Sequence, residues 1–155
     1  PQAAGLVLGR KKLLQAAFIN GAPHHALGRP MKVGKEEIMG LLAAVEQWIA
    51  RDHQAEWKTW EERLQQISDV MENYPTVQTS IRLPGRSNVA PVLSVEWDPQ
   101  TLGLSGREVG RQLSQGTPRI EVFNEACGFS VMPYMMQEGD AEVVARRLEE
   151  IFSGI

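Results

Sequence analysis

The chain has 155 residues, 43% of them hydrophobic and 23% charged, an ordinary globular composition with enough length to bury a core. A net charge of -3 offers nucleic acid no broad basic face, and the single cysteine, Cys127, excludes an internal disulfide framework or a multi-cysteine zinc site and fits a reducing cytosol. No apolar run approaches the roughly 20 residues that span a bilayer, and the start of the chain has no signal-peptide layout, so the expectation is a cytoplasmic protein with neither DNA nor membrane as partner.

Taken in order, Ala3 to Leu8 is a short apolar run that reads as a buried strand. After the basic trio Arg10, Lys11 and Lys12, the residues Leu13, Leu14, Ala17 and Phe18 share a helical face, and Asn20-Gly21 supplies a stop tolerant of left-handed backbone. Residues 21–34 contain Gly21, Pro23, Gly28, Pro30 and Gly34 and must form a loop. From Lys35 an amphipathic helix begins, with Glu36 and Glu37 complementing its dipole. Its stripe runs through Ile38, Leu41, Leu42, Val45, Trp48 and Ile49, and the same period continues through Trp57, Trp60, Leu64, Ile67 and Met71. Unbroken to Asn73, it would be roughly 58 Å long, more than a compact domain of this size usually holds. It therefore reads as a long connecting helix over 35–73, whose continuity turns on residues 50–56; Tyr74-Pro75 ends it.

The remainder alternates. Val77 to Leu83 and Pro91 to Trp97 read as a hairpin turned by Pro84-Gly85-Arg86-Ser87-Asn88. Ser105 and Glu108 have the spacing of a capping box, opening a helix that stops at Gly116. Ile120 to Phe123 pairs with Gly128 to Pro133, and Asp140 caps a last helix burying Val143, Val144, Leu148, Ile151 and Phe152. The order ββαββα after the long helix predicts an α+β layer, with helices on one face of a mainly antiparallel sheet.

The stretch from His25 to Glu37, HALGRPMKVGKEE, carries the chemistry. It sets two cations, Arg29 and Lys32, in a loop just before a helix start, where backbone N–H groups already favour negative charge, a seat for a phosphate or carboxylate. The plainer reading leaves both in solvent or on loop carbonyls. His24 and His25 are adjacent, without the i, i+4 spacing or the carboxylate cluster of a metal site, so no metal is expected. Trp48, Trp57 and Trp60 read as helix packing, His53 as a partly buried helix residue, Met132, Met135 and Met136 as core filler, and Cys127 as structural.

The opening PQAAGLVLGRKKLL, the HALGRPMKVGKEE segment and the helix after it resemble the part of a pyridoxal-phosphate-dependent fold type I enzyme that follows its cofactor lysine. The resemblance is to the selenocysteine synthase (L-seryl-tRNA selenium transferase) and D-glucosaminate-6-phosphate ammonia-lyase family. It implies that Pro1-Gln2 ends a Gly-Pro-Gln turn, that the Schiff-base lysine lies upstream of Pro1, and that the chain is the C-terminal portion of the parent enzyme. Residues 1–34 would then close the large cofactor domain and hold the anion-binding loop, 35–73 would connect, and 74–155 would be the small C-terminal domain. Arg29 and Lys32 match the family's R-x-x-[RK] pair that holds an anionic reactant, and His25 matches a histidine four residues before it. Arg119 stands where a substrate carboxylate would be bound, although this chain reads Thr117-Pro118-Arg119-Ile120-Glu121-Val122 where the selenium branch has Ala-Arg-Val.

Lys32, a point charge in place of the selenium branch's bidentate arginine, turns the expectation toward ammonia elimination from a phosphorylated amino sugar acid. The parent is then a homo-oligomeric lyase or transferase using pyridoxal phosphate on a small anionic substrate. The isolated portion, holding no catalytic residue of its own, is expected to be inactive. Two alternatives stand beside this reading: a selenium-transferase-like enzyme, the only case in which tRNA is a partner, and a non-catalytic α+β interaction module.

Overall fold

The computed structural model describes residues 3–83, 85 and 89–154, and divides into two compact units, residues 1–52 and 53–155. Pro1-Gln2 and all of the predicted hairpin turn except Gly85 lie outside the described residues.

The first unit holds α1 (Lys11–Asn20) and α2 (Lys35–Ala50), and none of the residues of either helix is buried. Ala3 to Leu8 is not a strand: no described residue pairs with it, and Leu6, Val7 and Leu8 are exposed. A strand needs a neighbour to take its backbone hydrogen bonds, and an apolar run alone does not supply one. Helix α1 stops at Asn20 as expected, but Gly21 is extended, with φ -106° and ψ 179°, and its N–H bonds the Phe18 carbonyl at 3.2 Å. The α2 stripe of Ile38, Leu42, Trp48 and Ile49 is likewise exposed.

The helical stretch 35–73 is two helices, because α2 ends at Ala50 and α3 spans His53–Met71. Arg51 leaves helical geometry at ψ 138°, and its guanidinium lies over the Trp48 ring, 5.9 Å from the centroid. His53 is exposed rather than partly buried.

The second unit opens on α3, which turns Leu64, Ile67 and Met71 inward and ends where the Asn73 side-chain amide donates to the Asp69 carbonyl at 2.9 Å. Strands β1 (Gln78–Arg82), β2 (Val92–Glu96), β3 (Phe123–Glu125) and β4 (Gly128–Val131) form a fully antiparallel sheet in the order β1-β2-β4-β3. The hairpin register runs from Gln78 opposite Glu96 to Arg82 opposite Val92. Between β2 and β3 lie a short α4 (Pro99–Leu102) and α5 (Gly106–Ser114), and α6 (Asp140–Phe152) follows β4.

Period-2 alternation puts Leu93, Val95, Phe129 and Val131 on one sheet face, where they meet Leu64 and Ile67 of α3, Val109 and Leu113 of α5, and Val144, Leu148 and Phe152 of α6. Each fully buried side chain of this size contributes about 1.5–3 kcal/mol, so this face carries the stability of the unit. Trp97 closes one end: its Nε1–H donates to the Leu104 carbonyl at 2.7 Å, and its ring stands edge-on to Phe129 and Phe152. On the opposite sheet face the buried Ser94 and Ser130 donate to Glu96 at 3.3 Å and Glu125 at 2.9 Å.

Gly106 and Gly110 set the distance between α5 and the sheet, and Gly128 the distance between β4 and β2. A Cβ on Gly106 would stand 2.0 Å from the Gly128 carbonyl oxygen and 2.5 Å from that of Glu125; on Gly128 it would meet the Val95 carbonyl at 1.9 Å, and on Gly110 the Asn124 side chain at 1.8 Å. Ser105 caps α5 by accepting from the Glu108 N–H at 3.2 Å, but the reciprocal half of the capping box is replaced by a pairing of the Glu108 carboxylate with Arg111.

Sequence and structure part in several smaller places. The β3 strand begins at Phe123, not Ile120, because the Ile120 N–H is taken by the Leu113 carbonyl at the end of α5. Asp140 is the first residue of α6 rather than its cap, which is Gly139 at φ 86°; the Asp140 carboxylate instead accepts from the Gln137 N–H at 2.7 Å. Val143 and Ile151 are half-buried, Met135 is exposed and the Cys127 thiol faces solvent.

Candidate anion-binding site

Within the first unit the loop after α1 folds back on the helix end. The Gly28 N–H donates to the Asn20 carbonyl at 2.8 Å and the His24 N–H to the Gly21 carbonyl at 3.0 Å. A Cβ at Gly28 would stand 2.6 Å from the Asn20 carbonyl oxygen, so glycine lets the loop approach the helix this closely. Asn20 itself is held by a side-chain bond to the Ala16 carbonyl at 2.9 Å. Arg29, Pro30 and Met31 then form a single 3₁₀ turn, with the Met31 N–H on the Gly28 carbonyl at 3.0 Å, and the chain reaches Gly34 and α2.

The result is an open groove of about 940 Å³, lined by Arg29, Lys32 and Lys35 together with apolar residues that include Leu27, Ile38 and Leu41. Arg29 is half-buried and the two lysines are exposed. The lining contains three cations and no carboxylate. Glu36 and Glu37 sit in the first turn of α2, where the Glu36 carboxylate lies back over Gly34, 3.2 Å from where a Cβ would be, and Glu37 Oε2 is shielded without a hydrogen-bond partner. The helix terminus is thus already complemented by its own acids, and the pull on an incoming anion comes from side-chain charge.

Of the residues singled out in the sequence, Arg29 and Lys32 come together in this groove. His25 is exposed and outside the lining, while His24 packs its ring edge-on against Phe18 at 5.2 Å. Lys35, which sequence reasoning treated only as a helix start, joins the pair; its signal was a lysine at the first helical position, the end where a cation opposes the dipole. Arg119 belongs to the second unit, on the rim of a separate cleft of about 470 Å³ lined by Val122, Met132, Met136 and Val143. It is exposed, and its Nε–H donates to Glu121 at 2.7 Å. Among the described residues no group of three or more His, Cys, Asp or Glu is arranged to hold a metal ion, and no helix is long and apolar enough to cross a membrane.

A pyridoxal phosphate ring needs a partner for its nitrogen and a surface against its face. The groove lining has neither a carboxylate nor an aromatic side chain. These residues fit an anionic group and not the ring.

No family model matches the chain. It is 30% identical over 153 residues to a 5'-C-glycyluridine monooxygenase-decarboxylase from Streptomyces sp, covering 96% of this chain and 37% of that protein. It is 26% identical over 151 residues to the D-glucosaminate-6-phosphate ammonia lyase of Salmonella typhimurium (strain 14028s / SGSC 2262), covering 96% and 39%. A solved structure of D-glucosaminate-6-phosphate ammonia-lyase shares the fold, with a TM-score of 0.57 at 24% identity over 94% of this chain and 38% of that one. The chain spans about two fifths of the length of the curated relatives it matches. Sequence and fold point the same way: the chain is similar to one part of these longer enzymes and has the fold of the corresponding part of a D-glucosaminate-6-phosphate ammonia-lyase.

Proposed function

We propose that this chain is the anion-binding portion of a pyridoxal-phosphate-dependent lyase that eliminates ammonia from a phosphorylated amino acid of the sugar-acid type. The observation that carries the reading is the groove in which Arg29 and Lys32 converge without a competing carboxylate. Pyridoxal phosphate, when bound, would supply the electron sink for cleavage at the α-carbon of an amino acid, and the groove residues would hold the substrate's anion rather than the cofactor ring. The share of these residues is to fix the anionic end of the substrate, so that binding energy from a non-reacting group orients the reacting one. Arg29 supplies a planar fork of donors and Lys32 a mobile point charge. His25, in the same loop, is a further contact in this reading, and a homo-oligomer is the assembly in which the site would be completed.

Ammonia release from D-glucosaminate-6-phosphate by the full-length protein carrying this chain tests the reading. Turnover that falls at least tenfold in kcat/KM in Arg29→Ala, chiefly through KM, supports it, that being the loss of about one charge-assisted contact. No ammonia from any phosphorylated amino acid would end it. A second reading rests on the 30% identity to the monooxygenase-decarboxylase: an enzyme acting on an amino-acid-bearing nucleoside, for which the full-length protein would release carbon dioxide from that nucleoside in the presence of dioxygen and no ammonia from the sugar acid.

A further inference from the structure

We infer that Lys35 is the third ligand of the anion in this groove and the residue that selects a phosphate monoester over a carboxylate. The inference rests on the proposed function for its setting and names which anion the site prefers. Three observations converge on Lys35. It lines the same groove as Arg29 and Lys32, so the charged residues of that lining are three cations and no acid. Among the described residues none of the three makes an ion pair, a condition they share with Arg107 and Arg146 of the second unit, so no carboxylate of this chain competes for them. Finally, Lys35 occupies the first position of α2, where a cation works against the helix dipole. Glu36 and Glu37 of the same turn are the residues that serve the helix, and Lys35 has no such use.

Charge decides between ligands. A carboxylate brings one negative charge and two oxygens, and two cations saturate it. A phosphate monoester carries between -1.5 and -2 at neutral pH and presents three terminal oxygens, roughly one for each cation. Removing the third cation therefore weakens phosphate far more than carboxylate. The apolar part of the lining, with Ile38 and Leu41, suits the carbon skeleton that bears the phosphate.

Inorganic phosphate and acetate are titrated into the 155-residue chain by isothermal calorimetry at low salt, with 31P NMR as a second readout and circular dichroism to verify helix content. The expected result is a loss of about tenfold in phosphate affinity for Lys35→Ala and of about threefold or less for acetate, with Lys35→Arg restoring phosphate and Lys35→Gln not restoring it. Phosphate affinity unchanged in Lys35→Ala, equal losses for both anions, or no phosphate binding by the unaltered chain would each overturn the inference. The two readings fail separately. If the full-length enzyme releases no ammonia while the calorimetric pattern holds, the reaction is wrong and the phosphate seat stands; if ammonia is released but Lys35→Ala leaves KM unchanged for a phosphorylated substrate, the selectivity assigned to Lys35 is wrong.

Discussion

Replacing Trp97 by phenylalanine isolates the joint between the sheet and its helices. Trp97 is 4% exposed, and its indole N–H is the donor given to the Leu104 carbonyl, itself on a buried residue. Phenylalanine keeps an aromatic ring to face Phe129 and Phe152 but leaves that carbonyl without a partner, at about 1–3 kcal/mol. It also removes about two methylene-sized groups from a filled site, about 1.6 kcal/mol before any cavity term. Together the loss is about 3 kcal/mol, which for a unit of roughly 100 residues lowers the melting temperature by about 12–24 °C. Urea denaturation followed by far-ultraviolet circular dichroism gives the free energy, with exposed Trp48→Phe as a control expected within about 0.5 kcal/mol of the unaltered chain. A loss below about 1 kcal/mol for Trp97→Phe would refute the reasoning, since neither the hydrogen bond nor the packing would then be carrying weight.

Three other outcomes follow. Thr76 is held at φ 61°, where a β-branched residue is strained by about 1–2 kcal/mol, so Thr76→Gly raises the melting temperature by about 2–6 °C after glycine's own entropic cost; a fall would show that the hydroxyl or methyl group is needed. Hydrogen bonds from Arg111 hold the Glu108 carboxyl below its ordinary 4.5, and Thr101 followed by the Gln100 N–H hold Asp98 below its ordinary 3.8. Because folding depresses both, their contribution is complete above those ordinary values and drains away as the pH drops through the lower folded ones, so Glu108→Gln flattens the acid limb of a stability-versus-pH curve and lowers the curve above about pH 6 by a constant amount without changing its slope there. Borohydride reduction of the 155-residue chain with pyridoxal phosphate leaves no stoichiometric adduct on any one of Lys11, Lys12, Lys32, Lys35 and Lys58, as mass spectrometry will read; a full adduct at one of them would place the Schiff-base lysine inside this chain.

Where a local signal coincides with a local structure, the sequence was readable. Helix α1 and the start of α2, the hairpin, the Ser105 cap and α6 all follow from periodicity and terminal residues, and the α+β layer follows from their order. What escaped depends on neighbours. The Ala3 to Leu8 run and the α2 stripe are apolar enough for a core, but burial is a property of a pair of surfaces, and one surface cannot announce whether the other is there. The break at Arg51 and Asp52 falls inside the 50–56 stretch on which continuity turned, but it contains neither glycine nor proline and the apolar period continues on both sides, so the sequence left it open. At the candidate site, Arg29 and Lys32 were visible because a loop displays its cations. Lys35 was hidden by its place in a helix, where it counted as a start signal rather than a ligand.

At Gly106, where α5 meets the sheet, and at Gly128, where β4 meets β2, the nearest neighbours are carbonyl oxygens. A leucine in an ordinary core can be traded for something smaller while an adjacent side chain grows to match, but the main chain has no such freedom to yield. Drift at those two positions is therefore closed off, whereas Gly110 faces the Asn124 side chain and has one escape, through replacement of that amide by something shorter. In distant descendants of this unit these two glycines should outlast the apolar residues around them, and they are the positions by which such descendants can be recognised when overall identity has faded.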